Sequence, residues 1–179
     1  MEILFSRDEI ARRVAALGSE ITEFYYGKPL LCLAIIDGGM IFAADLVRVI
    51  ALPLEFDSIG VASYKKNVSS GELDFRAVPK LDATGKHVLL IDEVLDTGLT
   101  LAKLKKMIGE RGAASVRSVV AVEKNCPRAA GGLEHADWRG FEAPGRYLVG
   151  YGMDVDELYR NLPDIVGFDA TFTENSPFK

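Results

Sequence analysis

Cysteine, histidine and tryptophan are all scarce in this sequence: two, two and one among 179 residues. Cys32 and Cys126 lie far apart, and neither has a partner at metal-ligand spacing. Cys32 sits in an apolar run and reads as a small buried hydrophobe, while Cys126 stands in a loop before Pro127. With His87 and His135 as the only imidazoles, no zinc site is expected. Positive charge is also short, with 21 Lys and Arg against 26 Asp and Glu and a net charge of −5. No overall field draws the chain to nucleic acid or to a membrane, so neither is expected as a partner. Any phosphate must be held by local groups. No apolar run approaches the ~20 residues that span a bilayer, and the longest, around 30–36, is strand-sized. The opening MEILFSRDEIARR carries its charges inside a helical pattern without a following apolar stretch, unlike a signal peptide. A cytoplasmic protein is expected.

What is present is a balanced globular composition, 49% hydrophobic and 26% charged, enough for a packed core. One domain over 1–179 is expected. Ser6 and Glu9 have the spacing of a capping box, and Ile10, Val14, Leu17, Ile21 and Phe24 recur at helical intervals, predicting an amphipathic helix that ends near Gly27 and Pro29. LLCLAII at 30–36 reads as a buried strand running into Gly38 and Gly39, followed by a helix over 41–50 and a strand over 52–63. The small, polar stretch 64–71 reads as a mobile loop or hairpin, and the alternation of Leu73, Phe75 and Ala77 brings a strand back. A buried strand at 87–91, a Gly-containing turn, a helix over 100–111 stopped by Gly112, and a strand at 115–122 complete an alternating pattern. The fold class this implies is α/β, a mostly parallel twisted sheet flanked by helices. The last third, with strand-like pieces at 136–138 and 146–150, a short helix around 156–160 and many Gly and Pro, suits a small hood formed mainly by about 130–179.

The chemistry concentrates in VLLIDEVLDTGLTL, residues 88–101. An apolar strand ends in two adjacent carboxylates, Asp92 and Glu93, and Asp96, Thr97, Gly98, Leu99 and Thr100 then lead into a helix. Ligands of open α/β sheets bind at the carboxyl ends of strands, where this segment falls. Unpaired N–H groups at a helix start favour an anion, Gly98 permits close backbone approach, and Thr97 and Thr100 add hydroxyl donors. The product is a monophosphate cradle, not a triphosphate-binding loop, because no Gly-Lys-Ser/Thr follows. Adjacent acids can accept hydrogen bonds from the vicinal hydroxyls of a ribose and help hold a divalent cation. Together they describe a ribose 5-phosphate site.

This segment resembles the phosphoribosyl pyrophosphate motif of the type I phosphoribosyltransferases, and the chain as a whole is similar to their hypoxanthine-guanine branch. The likeness runs through five blocks, at 30–48, 62–73, 85–101, 119–129 and 147–168. It implies the type I phosphoribosyltransferase fold and a purine-salvage activity: transfer of ribose 5-phosphate from phosphoribosyl pyrophosphate to N9 of hypoxanthine, and of guanine, with Mg²⁺ as cofactor. It also implies a homodimer or homotetramer. Asp92 and Glu93 would bind the ribose diol, and Asp96 to Thr100 would wrap the 5′-phosphate. Asp96 matches the general base that takes the proton from N7. Lys124 matches the donor to the 6-oxygen, Tyr147 the aromatic that stacks on the purine, and Leu148 and Asp154 the backbone groups at its edge. Asp154, with Asp92 and Glu93, would serve the metal, and Arg160 would contact pyrophosphate. Gly38 and Gly39 would cradle pyrophosphate behind a cis peptide at Ile36–Asp37, and Ser63 and Tyr64 would open a loop that closes over the reaction, with Lys65 and Lys66 beside it.

Three positions depart from the family pattern. Asp92-Glu93 stands where Glu-Asp is more usual, Asp37 where a basic residue is common, and Glu123-Lys124-Asn125 where Asp-Lys-Pro is more usual. An acid beside pyrophosphate should weaken its binding unless it points away or helps hold metal. Two alternatives remain open at the level of sequence: a xanthine-preferring transferase, and a non-catalytic regulator of the same fold that binds nucleotide or RNA.

Overall fold

Ser6 begins the first helix in the way its spacing predicts. Its backbone N–H donates to the Glu9 carboxylate at 2.9 Å while its hydroxyl accepts from the Glu9 N–H. In the computed structural model, which describes residues 2–62, 74–77, 79, 80 and 82–168, strand β1 (Glu2–Phe5) precedes this helix, α1 (Arg7–Tyr25). There follow β2 (Leu30–Ile36), α2 (Met40–Val49), β3 (Leu54–Ala62), β4 (Asp74–Ala77), β5 (His87–Leu95), α3 (Leu99–Glu110), β6 (Ser115–Asn125), β7 (Trp138–Pro144), β8 (Tyr147–Val149) and β9 (Ile165–Phe168). The stretch read as a mobile loop, with Ser63, Tyr64, Lys65 and Lys66, lies outside the described residues.

Ile10, Val14, Leu17 and Ile21 are buried as expected, but Tyr25 completes the stripe in place of Phe24, which is 37% exposed. A four-residue step from Ile21 keeps to the buried face, whereas a three-residue step at this end turns outward. Phe24 instead meets Trp138 edge-on and lies beneath the cations of Lys28 and Arg117.

The main sheet has the order β4-β3-β2-β5-β6-β7. Its last five strands run parallel, and β4 joins β3 antiparallel. This is the α/β architecture that the alternation of elements predicts. Both faces of β2 are covered, which explains its unbroken apolar run. Leu30, Cys32 and Ala34 join the α1 and α2 side of the core, while Leu31, Leu33 and Ile35 join the α3 side. Burial pushes the Cys32 thiol pKa up to about 12, as befits a packing residue. Arg13 ties α1 to the edge strand β7: its guanidinium donates to the carbonyls of Arg139 and Gly140 at 2.8 and 3.1 Å.

Several elements differ from the sequence expectation. β5 does not stop at Ile91 but continues to Leu95, because Asp92, Val94 and Leu95 keep their register with Val120, Val122 and Glu123 of β6. The N-terminal residues form a strand, and β1-β9-β8 make a separate antiparallel sheet. The strand-like piece expected at 136–138 begins at Trp138 and belongs to the main sheet, although it falls in the stretch assigned to the hood. No helix forms at 156–160: Asp156, Glu157 and Tyr159 have φ of 52°, 65° and 73°, in the left-handed region that an α-helix excludes. No helix among the described residues is long and apolar enough to cross a membrane.

Candidate active site

The carboxyl ends of β2, β3 and β5 open into a cleft of about 980 Å³. Ile36, Asp37, Gly38, Asp92, Glu93, Asp96, Thr97, Gly98, Thr100, Tyr147, Asp154 and Arg160 all line it. Residues drawn from 36 to 160 in the chain therefore converge on one place. Gly39, Leu99, Lys124 and Leu148 do not line it directly. Gly39 spends its N–H on the Ile35 carbonyl at 3.0 Å, Leu99 is the first residue of α3, and Leu148 is buried in the hood sheet. Lys124 reaches the site through its side chain.

The continuation of β5 sets the acids. Asp92 is buried and its Oδ1 accepts the Glu93 N–H at 3.0 Å. Burial, then the neighbouring Glu93 carboxylate, push the Asp92 pKa well above its ordinary value. The Glu93 carboxylate lies against the Cα of Gly38, so any side chain there would collide with it. The peptide between Ile36 and Asp37 is cis, as the resemblance implied.

After β5 the chain turns through Gly98, whose φ of 78° favours glycine, and enters α3 with no side-chain cap. The first-turn amides of α3 are thus left without the partner that a capping side chain would supply, which is what an anion needs. Asp96 sits at the mouth of this turn. Its Oδ2 accepts from Lys124 Nζ at 2.8 Å, and its Oδ1 lies 3.4 Å from the Cys126 thiol. Burial acts to raise the Asp96 pKa, but the Lys124 hydrogen bond and charge, with Cys126 and Arg128, outweigh it and hold the carboxyl below its ordinary value. An acceptor and a donor therefore stand side by side, next to the uncapped start of α3.

At the far end of the cleft, Asp154 accepts the Glu157 N–H at 2.8 Å and pairs with Arg160 at 3.0 Å. Arg160 also donates to the Gly152 carbonyl and pairs with Glu157 at 2.9 Å. Arg160 thus has two carboxylate partners, Asp154 and Glu157, on a loop that is not helical. Sequence reading missed Glu157 because 156–160 reads as a short helix, whereas left-handed residues turn Glu157 back onto Arg160. Tyr147 is 62% exposed, leaving its ring available at the cleft rim. Its neighbour Arg146 pairs with Glu2 of β1 at 2.6 Å and so ties this rim to the N-terminal strand.

Comparison with known proteins agrees with this geometry. The family model described as phosphoribosyl transferase domain matches residues 2–154. The chain is 38% identical over 167 residues to hypoxanthine-guanine phosphoribosyltransferase of Bacillus subtilis (strain 168), covering 92% of this chain and 91% of that protein. It is 34% identical over 163 residues to hypoxanthine-guanine-xanthine phosphoribosyltransferase of Tritrichomonas foetus, covering 91% and 88%. The solved structure of hypoxanthine phosphoribosyltransferase from Staphylococcus aureus superposes with a TM-score of 0.88 at 33% identity, covering 94% of this chain and 91% of that one.

Proposed function

We propose that this chain, which belongs to the phosphoribosyltransferase family and to its hypoxanthine-guanine branch, transfers ribose 5-phosphate from phosphoribosyl pyrophosphate to N9 of hypoxanthine and guanine in purine salvage. The observation that carries the reading is the pairing of Lys124 Nζ with Asp96 Oδ2 at 2.8 Å beside the uncapped start of α3. A 6-oxopurine carries its O6 acceptor next to N7, so a donor-only ammonium and a carboxylate at adjacent positions match that edge. Adenine places an amino group where Lys124 also donates, and is disfavoured. The pair is half-exposed on the Asp96 side, and such a pair contributes about 1 kcal/mol or less. Exchanging it for purine contacts therefore costs little.

In this reading the 5′-phosphate lies against the amides and hydroxyls of Thr97 to Thr100. Asp92 and Glu93 accept the ribose hydroxyls, and Tyr147 stacks on the base. The C1′–O bond to pyrophosphate breaks as N9 attacks, and Asp96 takes the proton from N7. With Lys124 turned to O6, the carboxylate loses the interaction that depresses its pKa and becomes a better base. Arg160 gives up Glu157 or Asp154 to meet the leaving pyrophosphate.

The residues present fit a magnesium ion. Among the described residues no three metal-binding side chains converge as a closed cage, and Mg²⁺ typically uses one or two carboxylates, water and substrate phosphate oxygens. Asp92, Glu93 and Asp154, all in the cleft, are the groups that would hold it, and it would supply neutralisation of the pyrophosphate charge. The same reading carries a cytoplasmic location and a homodimer or homotetramer.

Steady-state turnover with hypoxanthine, guanine, xanthine and adenine, each with donor and Mg²⁺, tests the proposal. Nucleotide formation from hypoxanthine and guanine is expected. Dominant turnover of xanthine would move the assignment to the xanthine-preferring alternative, and no turnover with any base would overturn it. The non-catalytic alternative is disfavoured by the Lys124–Asp96 pair and by the net charge of −5, which suits no large RNA footprint.

A further inference from the structure

We infer that Arg128, anchored by the buried Glu123 carboxylate, is the positioning residue that holds the base-recognition and phosphate-binding halves of the site in one fixed relation. Arg128 follows β6 in an irregular loop, yet its side chain is only 8% exposed and that of Glu123 6%, with Nη2 and Oε1 3.4 Å apart. A single nitrogen, Nη1, donates to the carbonyl of Asp96 at 2.8 Å and to the carbonyl of Lys124 at 2.9 Å. Nε donates to the Glu134 carbonyl at 3.0 Å. One planar guanidinium thus grips the backbone of the proposed base, the backbone of the proposed 6-oxygen donor and the loop behind them. Glu123 is held in turn by His135 Nδ1 at 2.6 Å and by the Ala136 N–H at 3.2 Å, so the anchor does not swing.

The same segment fixes the phosphate turn. The Thr97 carbonyl accepts the Ala129 N–H at 3.0 Å, and the Gly98 carbonyl accepts the Leu133 N–H at 3.0 Å. Three successive carbonyls, of Asp96, Thr97 and Gly98, are therefore all held by residues 128–133. Gly132 is pressed against this turn so closely that a Cβ would strike the Thr97 carbonyl oxygen. Holding the carbonyls from behind fixes the peptide planes, and with them the direction of the amides in front. The groups that meet substrate are then preorganised by contacts that themselves touch no substrate.

Lysine cannot replace this device. Its ammonium is a compact donor without the planar fork, and cannot reach three separated carbonyls and a carboxylate at once. A matched comparison exists in the same chain, because Arg13 also grips two carbonyls but far from the cleft.

This role rests on the proposed function, and the test separates the two. Wild-type, Arg128→Lys and Arg13→Lys chains are compared for KM of donor and base, kcat and thermal midpoint. Arg128→Lys is expected to raise both KM values together, each by about tenfold, because displacements of about 1 Å cost up to a hundredfold. Arg13→Lys is expected to lower the thermal midpoint while leaving both KM values at wild type. If Arg128→Lys fails to fold, Glu123→Gln, which keeps a hydrogen-bond acceptor but loses the ionic anchor, is expected to give the same parallel rise at smaller size. An active wild type with both KM values unmoved in the folded variant, or with only one moved, overturns the positioning role alone. A wild type without turnover overturns the function and this role with it.

Discussion

The two ends of the cleft are held by different means. At the proposed phosphate and base end, Asp96 directly follows β5 and Lys124 lies near the end of the neighbouring parallel β6, and the turn after β5 is tied through its carbonyls to a buried guanidinium and to backbone amides. At the other end, Asp154, Glu157 and Arg160 form a small network of side-chain pairs on a loop with left-handed residues. The first arrangement fixes direction. The second holds groups that can change partners, since partly exposed ion pairs are worth about 1 kcal/mol or less each. A fixed end suits the atoms that must align for bond formation, and an exchangeable end suits a pyrophosphate that arrives, leaves and takes its charge with it.

The sharpest way to break this contrast is Asp96→Ala. It should lower kcat by about a hundredfold or more, the usual contribution of a positioned proton acceptor, with the thermal midpoint little changed. A kcat within a few fold of wild type would show that the fixed end carries no proton transfer. Lys124→Ala should reduce the ratio of kcat/KM for hypoxanthine over adenine by about tenfold, the value of one charged hydrogen bond; an unchanged ratio removes Lys124 from base recognition. At the exchangeable end, Asp37→Lys replaces an acid of the cleft wall with a base and should lower the pyrophosphate Kd by about fivefold, judged from surface charge pairs. An equal or weaker Kd, read by calorimetry, refutes the electrostatic account of this position. The smallest effect is on stability. The Asp92 pKa is raised in the folded state by burial and by Glu93, so its favourable protonated state is fully available below the ordinary carboxylate pKa, and that stability is lost as pH rises through the folded value. Asp92→Asn should therefore raise the thermal midpoint by a few degrees at about pH 8, and the gain should vanish near about pH 4. A gain that is the same at both pH values would assign the effect to packing instead.

Sequence carried much of this because the relevant signals are local. The Ser6–Glu9 box, the apolar run 30–36 and the strand-turn-helix at 88–101 each declare themselves within a few residues. The two carboxylates at 92 and 93 looked like the end of a strand, but hydrogen bonding to β6 overrides the polar composition. Glu157 and Arg160 looked helical by spacing, yet their loop is shaped by the hood, where the Gly152 N–H donates to the Arg160 carbonyl and the Arg160 guanidinium returns to the Gly152 carbonyl. β1 is four residues long and exists only because β9, more than 160 positions later, supplies its partner. Arg128 falls inside the 119–129 block of likeness, yet nothing in its neighbours along the chain gives it a role. Its meaning comes from three carbonyls that the chain brings together only in space.

The guanidinium of Arg13 lying along β7 bears on how this protein behaves in a concentrated solution. The last strand of an open sheet invites a stray chain to dock onto its vacant backbone and to extend it. Carbonyls of successive strand residues point to opposite sides, so of the two oxygens that Arg13 engages, at Arg139 and Gly140, one faces the open border, and there that invitation is withdrawn. A helix residue thereby acts as a guard against accretion, a duty quite separate from handling nucleotides.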